Sequence, residues 1–351
     1  AGRSLIQVHM LGLAEAEAGR LLSDVKLMLS DLEVVVSAHL EMRKRMEDER
    51  DNLKKLEHLD EAELAEAVAF LDWLAHEHFV FLGARTYEYE INKKGDFVRE
   101  EPIMIEGSNL GLLKNEALNV LARGAGPTVL TSSAQEFLQS PEPLIIAKST
   151  LVSPVHRRGR SDYVGVKHYD KEGRASGETR FLGLFTAEAY EETARSVPVI
   201  RRRVSQIPKV LGVPEKGHAS KALSNVLETW PRDEPSQTAL DTPVPMVQAA
   251  LRLHERPRSR LFIRQDRFDR FVSAIVYVPR DAYDSDLRQR IVTVLEQAYG
   301  AKLLTFEPRF SQQSLVRVLF QLELPSGYKT PDLEDLQRRI STLAVSWEDA
   351  Y

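Results

Sequence analysis

The chain has 351 residues, enough for about two or three domains, with 43% hydrophobic and 28% charged residues, as in ordinary globular proteins. Its formal net charge of −5 is too mild to steer it toward polyanions or a membrane surface. The absence of cysteine excludes disulfides, thiolate chemistry and sulfur-bound zinc, and fits a reducing, cytoplasmic compartment.

No apolar run approaches the roughly 18 residues of a membrane span, and Ala1–Met10 lacks the layout of a signal peptide. The chain opens without Met on a strand-like run from Ser4 to His9, as expected of a piece of a longer protein. Residues 14–77 read as helices. Leu21, Leu22, Val25, Leu29 and Leu32 recur at helical spacing and predict a buried face. Ser30 with Glu33, and Asp60 with Glu63, have the capping-box spacing and predict the starts of a second and a third helix. Glu41 with Arg45, and Arg45 with Glu49, are opposite charges one turn apart that suit an exposed helix. Leu64, Val68, Leu71 and Leu74 line one side of the third helix, beside Phe70 and Trp73.

At Phe79 the period changes. Tyr87, Tyr89 and Ile91 alternate with polar residues, the signature of a strand, and Lys93–Asp96 forms a turn that Phe97–Ile105 follows as a hairpin partner. Strands are expected at Leu144–Leu151, Asp162–Tyr169 and Thr179–Thr186, with helices near 187–211 and 218–229. Trp230–Pro245, with four prolines, is the linker. A helix at Met246–His254 follows it. The remainder alternates strand, strand, helix, strand, strand, helix: Ser259–Arg264, Arg270–Val278, Ser285–Tyr299, Ala301–Pro308, Ser314–Glu323 and Pro331–Trp347. This ββαββα order is that of a ferredoxin-like sandwich. In it Val272, Ala274, Val276 and Val278 form a buried strand face under Val292 and Leu295. The fold class is therefore α+β: a helical segment, an antiparallel β-rich domain and a C-terminal ferredoxin-like domain.

Residues that could carry chemistry are few. Gly124-Ala125-Gly126 is followed by Pro127 and lacks the third glycine of a dinucleotide turn, so it reads as a plain loop. His76 and His78 stand two apart, where helical side chains diverge, and read as a helix end rather than a metal site. Arginines cluster at Arg157, Arg158 and Arg160, at Arg201–Arg203, and from Arg256 to Arg270 with Phe262, Phe268 and Phe271 interleaved. Basic residues among aromatics can stack single-stranded nucleic acid, but the acidic balance argues against that partner. In the strand near 260, Arg260, Phe262 and Arg264 share one face and Leu261 and Ile263 the other, as in a strand with one side toward solvent or another subunit. No residue is assigned a catalytic role.

Five longer stretches carry a resemblance: Trp73–Gly83, Gly107–Leu113, Arg180–Tyr190, Leu227–Glu234 and Glu255–Asp281. In this order they resemble the N-terminal half of the large bacterial NAD-specific glutamate dehydrogenases. They depart after Glu234, where Pro235-Ser236-Gln237 stands in place of Leu-Phe-Gln. The resemblance implies an enzyme that oxidises L-glutamate with NAD, whose catalytic domain lies C-terminal to this segment. It implies regulatory ACT-type domains here, with no cofactor and no metal held by this segment. Residues 1–10 would close a preceding ACT-type domain, 11–78 form a helical segment, 79–235 a β-rich domain with C-terminal helices, 236–258 a linker and helix, and 259–351 an ACT-like domain. The expected partners are the protein's own catalytic domain and other subunits of a homo-oligomer. ACT domains often bind an amino acid at the turn from first strand to first helix, commonly at a glycine. Here that turn, Val278–Asp284, has none. Arg280, Asp281 and Asp284 mark it as an effector or contact site; Asp281 and Asp284 would repel a carboxylate, and Asp284 is the expected helix cap. An independent amino-acid-sensing module and a nucleic-acid-binding protein are the alternatives.

Overall fold

In a computed structural model, residues 7, 9–12, 14–121, 132–214, 216–229, 243–255, 258–310 and 314–344 are described. Most of the strand expected at Ser4–His9, most of the linker at 230–245 and the loop Gly124–Pro127 lie outside them.

The chain opens with one helix, α1 (Glu15–Leu53), 39 residues long. The break expected at Ser30 is absent: helical hydrogen bonding runs through Ser30 and on into the packed half of the helix from Val35 to Leu53. The expected buried face is absent too. Leu22 and Leu29 are 56% and 50% exposed, and Leu21, Val25 and Leu32 are also exposed, because nothing described packs on this half. The buried residues start at Val35 and run through Ala38, Met42, Met46, Glu49 and Leu53. Arg45 does reach Glu41, at 4.0 Å, but Glu49 turns inward to His168 and Thr179 instead of pairing with Arg45. Helix α2 (Glu61–Trp73) starts where expected, its Asp60 carboxylate accepting from Glu63 N at 2.8 Å.

The first sheet is antiparallel, in the order β2-β1-β6-β5-β4, with β3 also on β1. Its strands are β1 (Phe79–Glu88), β2 (Ile103–Met104), β3 (Leu110–Gly111), β4 (Leu144–Val152), β5 (Arg160–Tyr169) and β6 (Ala175–Phe185). The return from the Lys93–Asp96 turn is shorter than expected: Phe97 makes a single bridge to Ile91, and only Ile103–Met104 pair with β1. One face, with Phe79, Phe81, Val164 and Phe181, packs on Met42 and Met46 of α1 and Phe70 and Leu71 of α2. The other face, with Leu82, Ile145, Tyr163 and Leu182, packs on Leu113, Val120 and Leu138, the last from the short helix α3 (Ser132–Leu138). Helices α4 (Ala187–Glu191), α5 (Ile200–Val210), α6 (His218–Thr229) and α7 (Pro243–Glu255) follow.

The second sheet is β7 (Arg260–Gln265), β8 (Phe271–Pro279), β10 (Leu315–Glu323) and β9 (Lys302–Phe310), in that order and antiparallel throughout. Helices α8 (Ser285–Tyr299) and α9 (Leu333–Leu343) complete the ββαββα sequence. Spatial order 1-2-4-3 is what a ferredoxin-like sheet gives when its last strand is moved to the front. Val272, Ala274, Val276 and Val278 share one core with Val292 and Leu295 of α8, in the expected register. The opposite face is covered as well: Phe262, Ile275, Leu315 and Leu319 join the core of the first sheet's helices, with Val247, Ala250 and Leu253 of α7.

Candidate functional site: the junction of the two sheets

The site that organises the molecule is the tip of the β7–β8 hairpin. Asp266 builds the turn: its carboxylate accepts from the backbone N of Phe268 and of Arg270 and from the Arg270 side chain, Nε at 2.9 Å. A short acidic side chain that satisfies several turn donors fixes the loop, across which Asp269 N donates to Asp266 O at 2.9 Å. The fixed loop aims Phe268 into the far face of the first sheet. There Phe268 is buried, edge-on to Phe137 and Tyr163 at 5.9 and 6.4 Å between centroids.

Charge surrounds this wedge. The Arg270 guanidinium lies 5.1 Å over Phe268 and 5.0 Å over Phe271, and Arg160 of β5 also lies 5.0 Å over Phe271. Arg160 also approaches Glu323 of β10 at 3.5 Å. Arg267 stacks 4.0 Å over Phe137 and pairs with Glu142 at 2.9 Å. Glu142 has Arg203 of α5 at 3.8 Å as well. One carboxylate thus meets cations from α5 and from the second sheet, and these pairs are shielded enough for geometry to count.

Beneath the wedge lies a buried polar centre. Glu178 and Arg180 stand two apart on β6, on one face, and pair at 2.5 Å with neither exposed. Tyr163 donates to Glu178, and Arg180 lies 4.0 Å over the Tyr87 ring. Burial opposes the charge on Arg180, but Glu178 and the surrounding tyrosines outweigh it and raise its pKa. Burial pushes the Tyr163 hydroxyl well above its usual value, so it remains a donor. Gly165 makes the room: a Cβ there would sit 2.6 Å from Glu178 Oε2. Nearby, burial brings the Lys167 ammonium down to about 7, although Phe137 O, Ser140 O and Ser140 Oγ all accept from it. This is an internal polar network that holds a sheet together, and no catalytic arrangement emerges from it.

The residues singled out in the sequence do not converge. Phe262 is buried, edge-on to Tyr277 at 5.9 Å. Arg264 is buried and donates to Ser273 Oγ at 3.2 Å, and Arg260 is half-buried at the start of β7. These three face away from α8. Arg280 and Asp281 are exposed in the loop before α8, where Arg280 N donates to Ser314 O at 2.8 Å. Asp284 caps the helix, accepting from Leu287 N at 2.7 Å. His76 and His78 each direct Nδ1 to a carbonyl at the end of α2, Asp72 O at 2.7 Å and Trp73 O at 2.9 Å. Among the described residues no group of three His, Asp or Glu could hold a metal ion. The arginine cluster at 201–203 faces carboxylates: Arg201 on Glu66, Arg202 on Glu63 and Asp60, Arg203 on Glu142.

Sequence reading missed the roles of Glu142, Phe137 and Phe268. A trace existed for Phe268, an aromatic in a turn between two strands and flanked by Asp266 and Asp269, where a solvated turn has no use for one. Nothing local marks Glu142.

A ββαββα sheet with helices on one face, anchored through its first hairpin to a second antiparallel module, has the fold of an ACT-type domain. Residues 260–348 match the family model described as the ACT2 domain of glutamate dehydrogenase, and residues 197–256 that of its helical motif 1. The chain is 34% identical over 295 residues to the NAD-specific glutamate dehydrogenase of Halomonas elongata, covering 83% of this chain and 18% of that protein. The corresponding enzyme of Pseudomonas aeruginosa is 35% identical over 292 residues, with 82% and 18% covered. That of Mycobacterium tuberculosis is 26% identical over 318 residues, with 90% and 18% covered. Over most of its length the chain is thus similar to NAD-specific glutamate dehydrogenases, and it spans 18% of the length of these relatives.

Proposed function

We propose that this chain is a regulatory and assembly segment of an NAD-specific glutamate dehydrogenase and performs no chemistry itself. On this reading the parent enzyme converts L-glutamate, NAD and water to 2-oxoglutarate, ammonium and NADH in a catalytic domain outside residues 1–351, as a cytoplasmic homo-oligomer. Residues 1–10 close a preceding ACT-type domain, and 11–78, 79–235, 236–258 and 259–351 are the successive units. The ACT2 and helical-motif matches support the family part of this reading.

The observation that carries the choice of assembly over amino-acid sensing is the occupied N-terminus of α8. A helix start offers free N–H groups to a ligand carboxylate. Here the Asp284 carboxylate already takes the Leu287 N–H, with exposed Asp281 and Asp286 beside it. A free amino acid would have to displace a tethered carboxylate against like charge. The segment is therefore expected to bind free amino acids weakly or not at all, and to contact other subunits and its own catalytic domain. The test is calorimetric titration with the common amino acids, alongside fluorescence titration with NADH. Neither should saturate in the micromolar range. Tight amino-acid binding abolished by Arg280→Ala with Asp281→Ala would establish an effector site, and saturable NADH binding would overturn the non-catalytic reading.

A further inference from the structure

The first half of α1 carries an apolar stripe that no described residue covers. Leu22, Val25, Leu29, Leu32 and Val36 follow the alternating three- and four-residue spacing of a coiled-coil seam, and Val36 is 64% exposed. Contiguous exposed apolar surface of this kind marks an interaction site. The stripe is distinct from the face of α1 already in use. That face, through Val35, Ala38, Met42 and Met46, seats the helix on its own sheet and lies about a third of a turn away. A second helix can therefore approach without displacing the first contact.

We propose that the occupant is α1 of a second copy of this chain, lying antiparallel to the first across a two-fold axis near Ser30 and Asp31. The proposal names the face through which the assembly reading above would operate, and rests on that reading. Charge decides both partner and direction. Antiparallel packing that sets Leu29 against Leu32 of the second copy also sets Val25 against its Val36. Lys26 and Glu33 flank the seam on one side, and this register brings Lys26 of each copy beside Glu33 of the other, twice over. The flank on the other side is apolar, with Leu21 and Met28. A parallel pair would place Lys26 beside Leu21 and leave both charges unmatched. A contact in which each copy presents the same patch closes at two subunits, as isologous interfaces do.

Sedimentation equilibrium of the 351-residue chain should give twice its mass of 39.8 kDa. Lys26→Glu and Glu33→Lys should each weaken the dimer at least about tenfold, and the two together should restore it. Both positions are exposed, so the folded chain tolerates the changes. Because the chain has no cysteine, Val25→Cys with Val36→Cys should oxidise to a covalent dimer, while Val25→Cys alone should not. A dimer indifferent to Lys26→Glu and to Leu29→Glu would sink this interface and leave the assembly reading standing. Ready cross-linking by Val25→Cys alone would replace the antiparallel arrangement with a parallel one. A chain that stays monomeric at about 100 µM would overturn this interface, and leave the assembly reading only the contact with the catalytic domain.

Discussion

His168 shows how one side chain can make stability depend on pH. Its Nε2 lies 3.1 and 3.2 Å from the two Glu49 oxygens and 3.2 Å from Thr179 Oγ1, joining α1 to the centre of the first sheet. Burial disfavours the imidazolium, but the hydrogen bond and charge of Glu49 outweigh it and raise its pKa above 6.5. A folded-state pKa above the unfolded one gives stability that is complete below the unfolded value and is lost as pH rises through the folded value. The melting temperature should therefore fall as pH rises from the ordinary histidine range through the raised folded-state pKa. His168→Gln should flatten that dependence, and an unchanged slope in thermal melts would remove His168 from the account.

At the scale of elements, β8 and α8 carry the clearest local signals. Alternating Val272, Ala274, Val276 and Val278 define the inner face of the strand, and Asp284 and Gly300 bracket the helix as cap and left-handed terminator. Val276 is fully buried. Val276→Asp would place an unpaired carboxylate between the sheet and α8, costing about 3 kcal/mol or more. A variant that melted with the parent would show the strand register to be wrong. The weak elements are those whose partners are distant in sequence. The Ser30 pattern is a valid local start signal, yet α1 runs through it, because a capping side chain gives only about 1 kcal/mol. Helix continuation here is reinforced by the packing of Val35 to Leu53 on the sheet.

For the whole molecule, the hairpin at Phe268 decides whether the ACT-type sheet and the first sheet move as one body. Phe268→Ala should cost roughly 3–5 kcal/mol by cavity formation alone. Loss of the wedge should also expose its neighbours. Arg267, now paired with Glu142, and buried Arg270 should become tryptic sites in the variant and stay protected in the parent. Equal protection in both proteins would mean that Phe262, Ile275, Leu315 and Leu319 hold the junction without it.

The sequence by itself determined the alternation of β8, the caps at Asp60 and Asp284, the ββαββα order and the family resemblance, because each of these lies in neighbouring residues or in continuous phrases. It also determined the alternation that puts Phe262 opposite Leu261. It could not say what covers Phe262, since burial against α7 and exposure to another subunit ask for the same apolar side chain. Glu142 gave no signal either, because an ion pair to Arg203 and Arg267 exists only after three separate segments have met. Tertiary structure alone decided that the described residues leave the leucine stripe of α1 bare while the next face of the same helix is buried. Helical spacing records that a side wants cover; the sheet beneath Val35 to Leu53 reaches only half of the helix.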